Sequence, residues 1–141
     1  MKLIEGNDVT IAATGHLVWE SIEAAKILNQ SGISAEVINI HTIKPLDEKI
    51  ILKSVSKTKC IVSAEEHNYL GGLGESISRV LSKNMPLPQE FVATKDTFGE
   101  SGTPAQLMKK YGLNSDSIVE KVKKVINLSL IHISEPTRLI G

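Results

Sequence analysis

The sequence lacks four features that would each indicate a specialised class of protein. It has a single cysteine, Cys60, so no disulfide can form within the chain, which is typical of a reducing compartment. Its sixteen basic and sixteen acidic residues cancel, so no excess of charge favours nucleic acid or a membrane surface. No apolar run approaches the roughly 20 residues that span a bilayer, and the opening MKLIEGND does not have the pattern of a signal peptide. We therefore expect a cytoplasmic protein.

The order of apolar patterns indicates the fold class. A length of 141 residues suits one domain with a single core. Four apolar, β-rich runs are predicted to be strands: DVTIAATG, ISAEVINIHT, CIVSAEE and QEFVATKD. Five segments are predicted to be helices: LVWESIEAAKILNQSG, DEKIILKSVSKT, GGLGESISRVLSKN, TPAQLMKKYG and SDSIVEKVKKVINL. Strands and helices that alternate in this way predict an α/β domain with a mainly parallel sheet, and KLIEG is a candidate edge strand.

Several residues are predicted to mark the ends of helices. Gly32 suits the position after the first helix, and Asp47 suits the N-cap of the second. Thr103 as N-cap and Pro104 as the first helical residue suit the start of TPAQLMKKYG. The apolar face of the first helix is predicted to consist of Val18, Ile22, Ala25 and Leu28.

The last residues, 128–141, differ from the rest of the chain. The segment LSLIHISEPTRLIG has no clear hydrophobic period and follows a helix that looks complete. It resembles the translation of a sequencing adaptor. We therefore expect residues 1–127 to form the domain and the tail from residue 128 to be non-native or disordered. The alternative is a β-like extension that docks on a partner.

The stretch VSAEEHNYLGGLGESISRVL, residues 62–81, contains the first candidate for chemistry. Glu65, Glu66 and His67 lie at the carboxyl end of a predicted parallel strand, which is where open α/β sheets place their sites. With regular alternation, Glu65 and His67 share one strand face, and such a pair could act as a general acid and base. The alternative, which the pattern favours, is a polar strand end that contacts another subunit or satisfies the amides of a turn.

A glycine-rich turn follows this cluster. Gly71, Gly72 and Gly74 precede a predicted helix, so free backbone amides at the turn could hold an anion. The spacing is not that of G-x-G-x-x-G, and no Walker lysine follows. The glycines would also allow a tight turn and close packing of helix on sheet.

Two further histidines follow predicted strands. His16 comes after the first strand and is favoured as a residue at the start of a helix, and His41 follows the second strand. If the chain is a stand-alone module that binds a small anion, His16, His41 and His67 would line its site with the turn at residues 71–74.

The chain resembles the C-terminal domain of transketolases over residues 1–127. The most specific motifs are Lys-Pro-Leu-Asp at residues 44–47, Glu-Glu-His followed by Gly-Gly-Leu-Gly, and Phe-Gly-Glu-Ser-Gly at residues 98–102. The C-terminal domains of 1-deoxyxylulose-5-phosphate synthase and of the β subunits of 2-oxo-acid dehydrogenases share the first two motifs in looser form. The third motif favours transketolase proper.

The resemblance implies a three-layer α/β/α sandwich whose mainly parallel sheet has about five strands, one of them an antiparallel edge strand. It also implies that the complete enzyme transfers a two-carbon ketol unit between sugar phosphates, as in the pentose phosphate pathway, with thiamine diphosphate and Mg. Two other domains hold that cofactor in the family, and the chain contains no Gly-Asp-Gly motif.

Because two other domains bind the cofactor in the family, the resemblance implies a supporting role for this chain. No residue here is expected to be catalytic, to bind the cofactor or to ligate a metal, and the isolated domain is expected to be inactive. The expected partners are the missing thiamine-binding domains or subunit, together with a homodimer contact. In this interpretation Glu65, Glu66, His67 and the glycine turn shape a corner and an interface.

Overall fold

The computed structural model describes residues 1–41, 46–68, 72–94 and 114–134, with the backbone alone at 66–68, 94 and 131–134. Within these ranges the strands are β1 (Lys2–Ile4), β2 (Val9–Ala13), β3 (Ala35–Asn39), β4 (Ile61–Asn68) and β5 (Gln89–Thr94). The helices are α1 (Leu17–Gln30), α2 (Glu48–Thr58), α3 (Leu73–Asn84) and α4 (Ser115–Ser134). The predicted helix TPAQLMKKYG and the Phe-Gly-Glu-Ser-Gly motif lie outside the described residues.

The five strands form one mixed sheet, which confirms the predicted fold class. Its order is β1-β3-β2-β4-β5. The pairs β2–β3, β2–β4 and β4–β5 are parallel, and β1 pairs with β3 in the antiparallel direction. In the sheet, β3 therefore lies on one side of β2, and β4 lies on the other side. Right-handed crossovers in these two directions place α1 and α2 on opposite faces of the sheet.

The carboxyl ends of the parallel strands lie along one edge, which we call the carboxyl edge. Because β1 is antiparallel, the first residue of the chain lies at this edge too. The Met1 amino group donates to the Asn39 carbonyl at 2.9 Å, and the Asn39 amide donates back to the Met1 carbonyl at 2.8 Å. These two hydrogen bonds fix the β1–β3 ladder at the carboxyl edge. Near its other end, the Gly6 amide donates to the buried carboxylate of Glu36, as described below.

Two apolar clusters cover the two faces of the sheet. The cluster beneath α1 and α4 contains Val9, Ile11, Ala13, Leu17, Ala24, Ala25, Leu28, Ala35, Val37, Cys60, Val62, Ala64, Val92, Ile118, Val122 and Val125. The cluster beneath α2 and α3 contains Ala12, Ile38, Ile40, Ile51, Val55, Ile61, Leu73, Ile77 and Leu81. Alternate residues of β2 enter opposite clusters, as expected of a strand covered on both faces.

Helix α1 ends as predicted but is rotated relative to the predicted face. Gly32 has a φ of +81°; its amide donates to the Asn29 carbonyl and the Ile33 amide donates to the Leu28 carbonyl. This is a Schellman motif, in which glycine is favoured because its backbone is left-handed. The fully buried face, however, consists of Leu17, Ser21, Ala24, Ala25 and Leu28. Val18 and Ile22 are only partly buried. The small residues Ser21, Ala24 and Ala25 form the neighbouring stripe of the helix and let that stripe approach the sheet closely.

Polar groups connect α2 to the sheet. The Asp47 carboxylate accepts the Ile50 amide at 3.3 Å and caps the helix as predicted. In the interior, the Thr10 hydroxyl lies 2.6 Å from the Ser54 hydroxyl and 2.7 Å from the Thr58 hydroxyl. These three buried hydroxyls satisfy one another, so they position α2 without leaving a polar group unpaired.

A second polar connection is the buried carboxylate of Glu36 on β3. It accepts the Lys57 ammonium at 2.6 Å and the Gly6 amide at 3.2 Å. Burial alone would raise the pKa of Glu36, but hydrogen bonds from Lys57, Ser54 and the Gly6 amide together with the Lys57 charge hold it below its usual value. Because the folded-state pKa is lowered, this carboxylate stabilises the fold above its ordinary pKa, and the contribution is lost as the pH falls through the folded-state value.

Helix α4 is longer than predicted. The pattern predicts an end near Leu128, whereas the helix runs to Ser134. No glycine or proline interrupts residues 128–134, and Pro136 is the first residue that cannot continue a helix, so the backbone has no signal to stop earlier. Lys121 and Lys124 lie 3.6 Å and 3.5 Å from the Glu90 carboxylate on β5, so two of the basic residues of α4 pair with the sheet edge. The origin of the tail stays a prediction.

Cys60 is predicted to be chemically inert in the folded protein. The thiol is 1% exposed and donates to the Asp8 carbonyl at 3.4 Å. Burial, followed by the nearby Asp8 charge, raises the pKa of Cys60 to about 11, so almost no thiolate is present at neutral pH. We expect a thiol reagent such as Ellman's reagent to leave the native protein unmodified at pH 8 and to react fully after denaturation. Rapid labelling of the native protein would show that the cysteine is accessible.

Candidate functional site

The buried carboxylate of Glu65 organises the corner between β4 and α3. Glu65 is 1% exposed, at the carboxyl edge of the sheet. One carboxylate oxygen accepts the Leu73 amide at 2.9 Å, and the other accepts the Gly74 amide at 2.6 Å. These amides belong to the first turn of α3, where backbone donors have no partner within the helix. Glu65 therefore caps α3 from the neighbouring strand, and its negative charge faces the positive end of the helix dipole.

The strand that carries Glu65 is irregular at this point. Ala64 pairs with Val92 and Asn68 pairs with Thr94, so four residues of β4 advance where β5 advances two. The extra residues fall at Glu65, Glu66 and His67, where the regular alternation assumed from the sequence does not apply. Glu66 and His67 lie in β4, and their side chains are outside the described residues. A catalytic Glu65–His67 pair therefore stays a prediction. The Glu65 carboxylate itself accepts two amides of α3.

The glycines at this corner have separate positions. Gly71 lies outside the described residues, and Gly72 is the N-cap of α3 with an extended backbone. Gly74 is buried in the first turn of α3, where a Cβ atom would lie 2.4 Å from the Phe91 ring and 2.8 Å from the Ser63 hydroxyl. Close packing of α3 on β4 and β5 thus requires glycine at residue 74.

Replacing Gly74 by valine is predicted to destabilise the domain by roughly 2–3 kcal/mol, because the new side chain must displace the Phe91 ring from α3. Chemical denaturation of the variant would measure this loss. Gly32→Ala is a suitable control, since a Cβ atom there meets nothing within 4 Å and the cost is conformational alone. If Gly74→Val proved no less stable than the wild type, the helix would not pack as closely as described.

A second site feature is a cleft of about 550 Å³ at the carboxyl edge beside the start of α1. We call it the α1 cleft, and its lining is formed by residues 14–16, Val18, Trp19, Ile22 and residues 39–41. It brings together two of the predicted residues, His16 and His41, which are both exposed. None of the described side chains that line it is Asp, Glu, Lys or Arg, so its walls carry no permanent charge.

Three backbone amides at the start of α1 already have acceptors within the chain. The amides of Leu17, Val18 and Trp19 donate at 3.2 Å to the carbonyls of residues 14, 15 and 16 respectively. His16 is the N-cap residue with helical backbone angles, and its side chain makes no capping bond. At both helix starts of this edge, α1 and α3, backbone amides thus donate to groups of the same chain.

The described residues provide no observation that favours a site for a diphosphate with its divalent metal. At the starts of α1 and α3, the amides of residues 17–19, Leu73 and Gly74 already have acceptors within the chain. Among the described residues, no group of three or more His, Cys, Asp or Glu side chains could ligate a metal. No chemical step through thiamine diphosphate is therefore assigned to residues of this chain.

None of the helices in the described ranges is both long enough and apolar enough to cross a membrane.

Sequence reasoning missed the most exposed large apolar side chain of the α1 cleft. Trp19 is the one tryptophan of the chain and is 61% exposed. The signal available in the sequence was its position one residue after Val18, off the apolar stripe of α1. An indole outside the core stripe of an amphipathic helix is a candidate contact residue, because tryptophan is enriched where protein surfaces meet.

Comparison with known proteins places these features in a family. The family model described as "Transketolase, C-terminal domain" matches residues 1–118. Over 123 residues the chain is 45% identical to the 6-deoxy-6-sulfo-D-fructose transketolase subunit SqwH of a Clostridium species, with 87% of this chain and 38% of that subunit covered. It is 38% identical over 121 residues to 1-deoxy-D-xylulose-5-phosphate synthase of Caldanaerobacter subterraneus, with 85% and 20% covered.

A solved structure shares the fold. The chain superposes with a TM-score of 0.86 on a split-gene transketolase in an inactive β4 tetramer, at 40% identity, covering 92% of this chain and 43% of that one. A transketolase C-terminal section of Methanocaldococcus jannaschii is 41% identical over 122 residues, covering 85% of this chain and 37% of that protein. The chain spans well under half the length of each of these relatives.

Proposed function

This chain belongs to the transketolase C-terminal domain family, and from that membership we propose that it is the dimer-supporting part of a transketolase-type enzyme and is inactive alone. The whole enzyme would move a two-carbon ketol unit between sugar phosphates in the cytoplasm, as in the pentose phosphate pathway. The relatives named as subunits or sections of transketolases support a division of the enzyme into parts. The proposed partners are the thiamine-binding domains or subunit and a second copy of this chain.

The observation that carries this proposal is the engagement of Glu65. The two oxygens of Glu65 accept the Leu73 and Gly74 amides, which supports a structural role for this carboxylate at the start of α3. The strongest acid/base candidate of the sequence thus supports a corner of the fold. Thiamine diphosphate and Mg would be bound by the partner, where thiamine would supply the covalent chemistry and Mg would hold the diphosphate.

The match to 1-deoxy-D-xylulose-5-phosphate synthase favours a second candidate. The same C-terminal domain supports that enzyme, so the domain by itself fits either reaction. The β subunits of 2-oxo-acid dehydrogenases are a third assignment within the same superfamily. A small-anion binding module remains the alternative outside enzymes, with His16 and His41 in the α1 cleft as the residues it would use.

An affinity purification from the source cells with this chain as bait tests the proposal. We expect mass spectrometry to identify a chain that carries Gly-Asp-Gly and the thiamine-binding domains, and we expect the recovered complex to transfer a two-carbon unit between sugar phosphates. Formation of 1-deoxyxylulose 5-phosphate by the complex instead would support the second candidate. A soluble monomer that recruits no such chain and binds a sugar phosphate by itself would contradict the proposal.

A further inference from the structure

We draw no further inference here: the strongest candidate, the α1 cleft with the exposed indole of Trp19 in its wall, carries none because nothing in the described part of the structure shows what covers it.

Discussion

Replacing Gly6 by alanine is expected to destabilise the domain by about 3 kcal/mol or more, although Gly6 lies near the start of the chain. A Cβ atom at this position would lie 2.3 Å from the Ala35 carbonyl carbon and 2.4 Å from the Glu36 nitrogen. Both are backbone atoms of β3, so no side-chain rotation can relieve the overlap. The segment that follows β1 must move away from β3 for alanine to fit.

That movement also breaks a hydrogen bond to a buried charge. The Gly6 amide donates to the Glu36 carboxylate, which is paired with Lys57 on α2. Removing one donor from a buried carboxylate costs more than removing a hydrogen bond between neutral groups. The steric and electrostatic losses therefore add at Gly6→Ala.

Urea denaturation with Gly32→Ala as the matched control would separate these contributions. Gly32 has a left-handed φ of +81° but open space where a Cβ would stand, so its replacement should cost about 1 kcal/mol from backbone strain alone. Gly6→Ala should lose at least twice that free energy of unfolding. Equal losses for the two variants would mean that the segment following β1 does not approach β3 as closely as described.

The sequence predicts the layers of this fold better than it predicts close approaches within them. Hydrophobic runs and periodicity located the four parallel strands, and Asp47 and Gly32 marked helix ends because their capping chemistry is local. No local pattern distinguishes Gly6 from a surface glycine, since the atoms that it must avoid lie about thirty residues later on β3. The antiparallel direction of β1 was likewise implied by family resemblance and not by its three residues.

The site shows the same limit. A carboxylate at the end of a strand and amides at the start of the next helix were both recognised in the sequence. One favoured alternative was that the polar strand end satisfies the amides of a turn, but the sequence did not show which carboxylate binds which amides. The structure joins them, because a register shift in β4 and the turn before α3 bring Glu65 to the helix amides. Trp19 was overlooked since its exposure depends on which stripe of α1 meets the sheet, and the small residues Ser21, Ala24 and Ala25 decide that rotation.

Replacing Glu65 by alanine is expected to cost roughly 3–4 kcal/mol, because the Leu73 and Gly74 amides would each lose their acceptor in the interior. Glu65→Gln should cost less, about 2 kcal/mol. Its carboxamide oxygen can accept one amide, while its NH₂ group would face the other and leave two donors opposed. Chemical denaturation of both variants at neutral pH would measure this order of stability.

An exposed acidic residue at another helix start is the appropriate control. Glu48 lies in the first turn of α2 and is exposed, so Glu48→Ala should change the free energy of unfolding by about 0.5 kcal/mol or less. Fluorescence of Trp19 is less suited to follow the transition than circular dichroism, since the indole is largely in solvent before unfolding.

Catalytic and structural roles for Glu65 predict opposite combinations of stability and turnover. A structural anion gives variants whose stability falls in the order wild type, glutamine, alanine, while the complex reassembled with the thiamine-binding partner keeps its turnover wherever the domain remains folded. A general base gives a glutamine variant that is as stable as the wild type and inactive, because proton transfer and not capping would be lost. Since the two oxygens of Glu65 hold α3 at 2.9 Å and 2.6 Å, we expect the first result. His67→Ala should likewise leave turnover unchanged if this corner has a structural role.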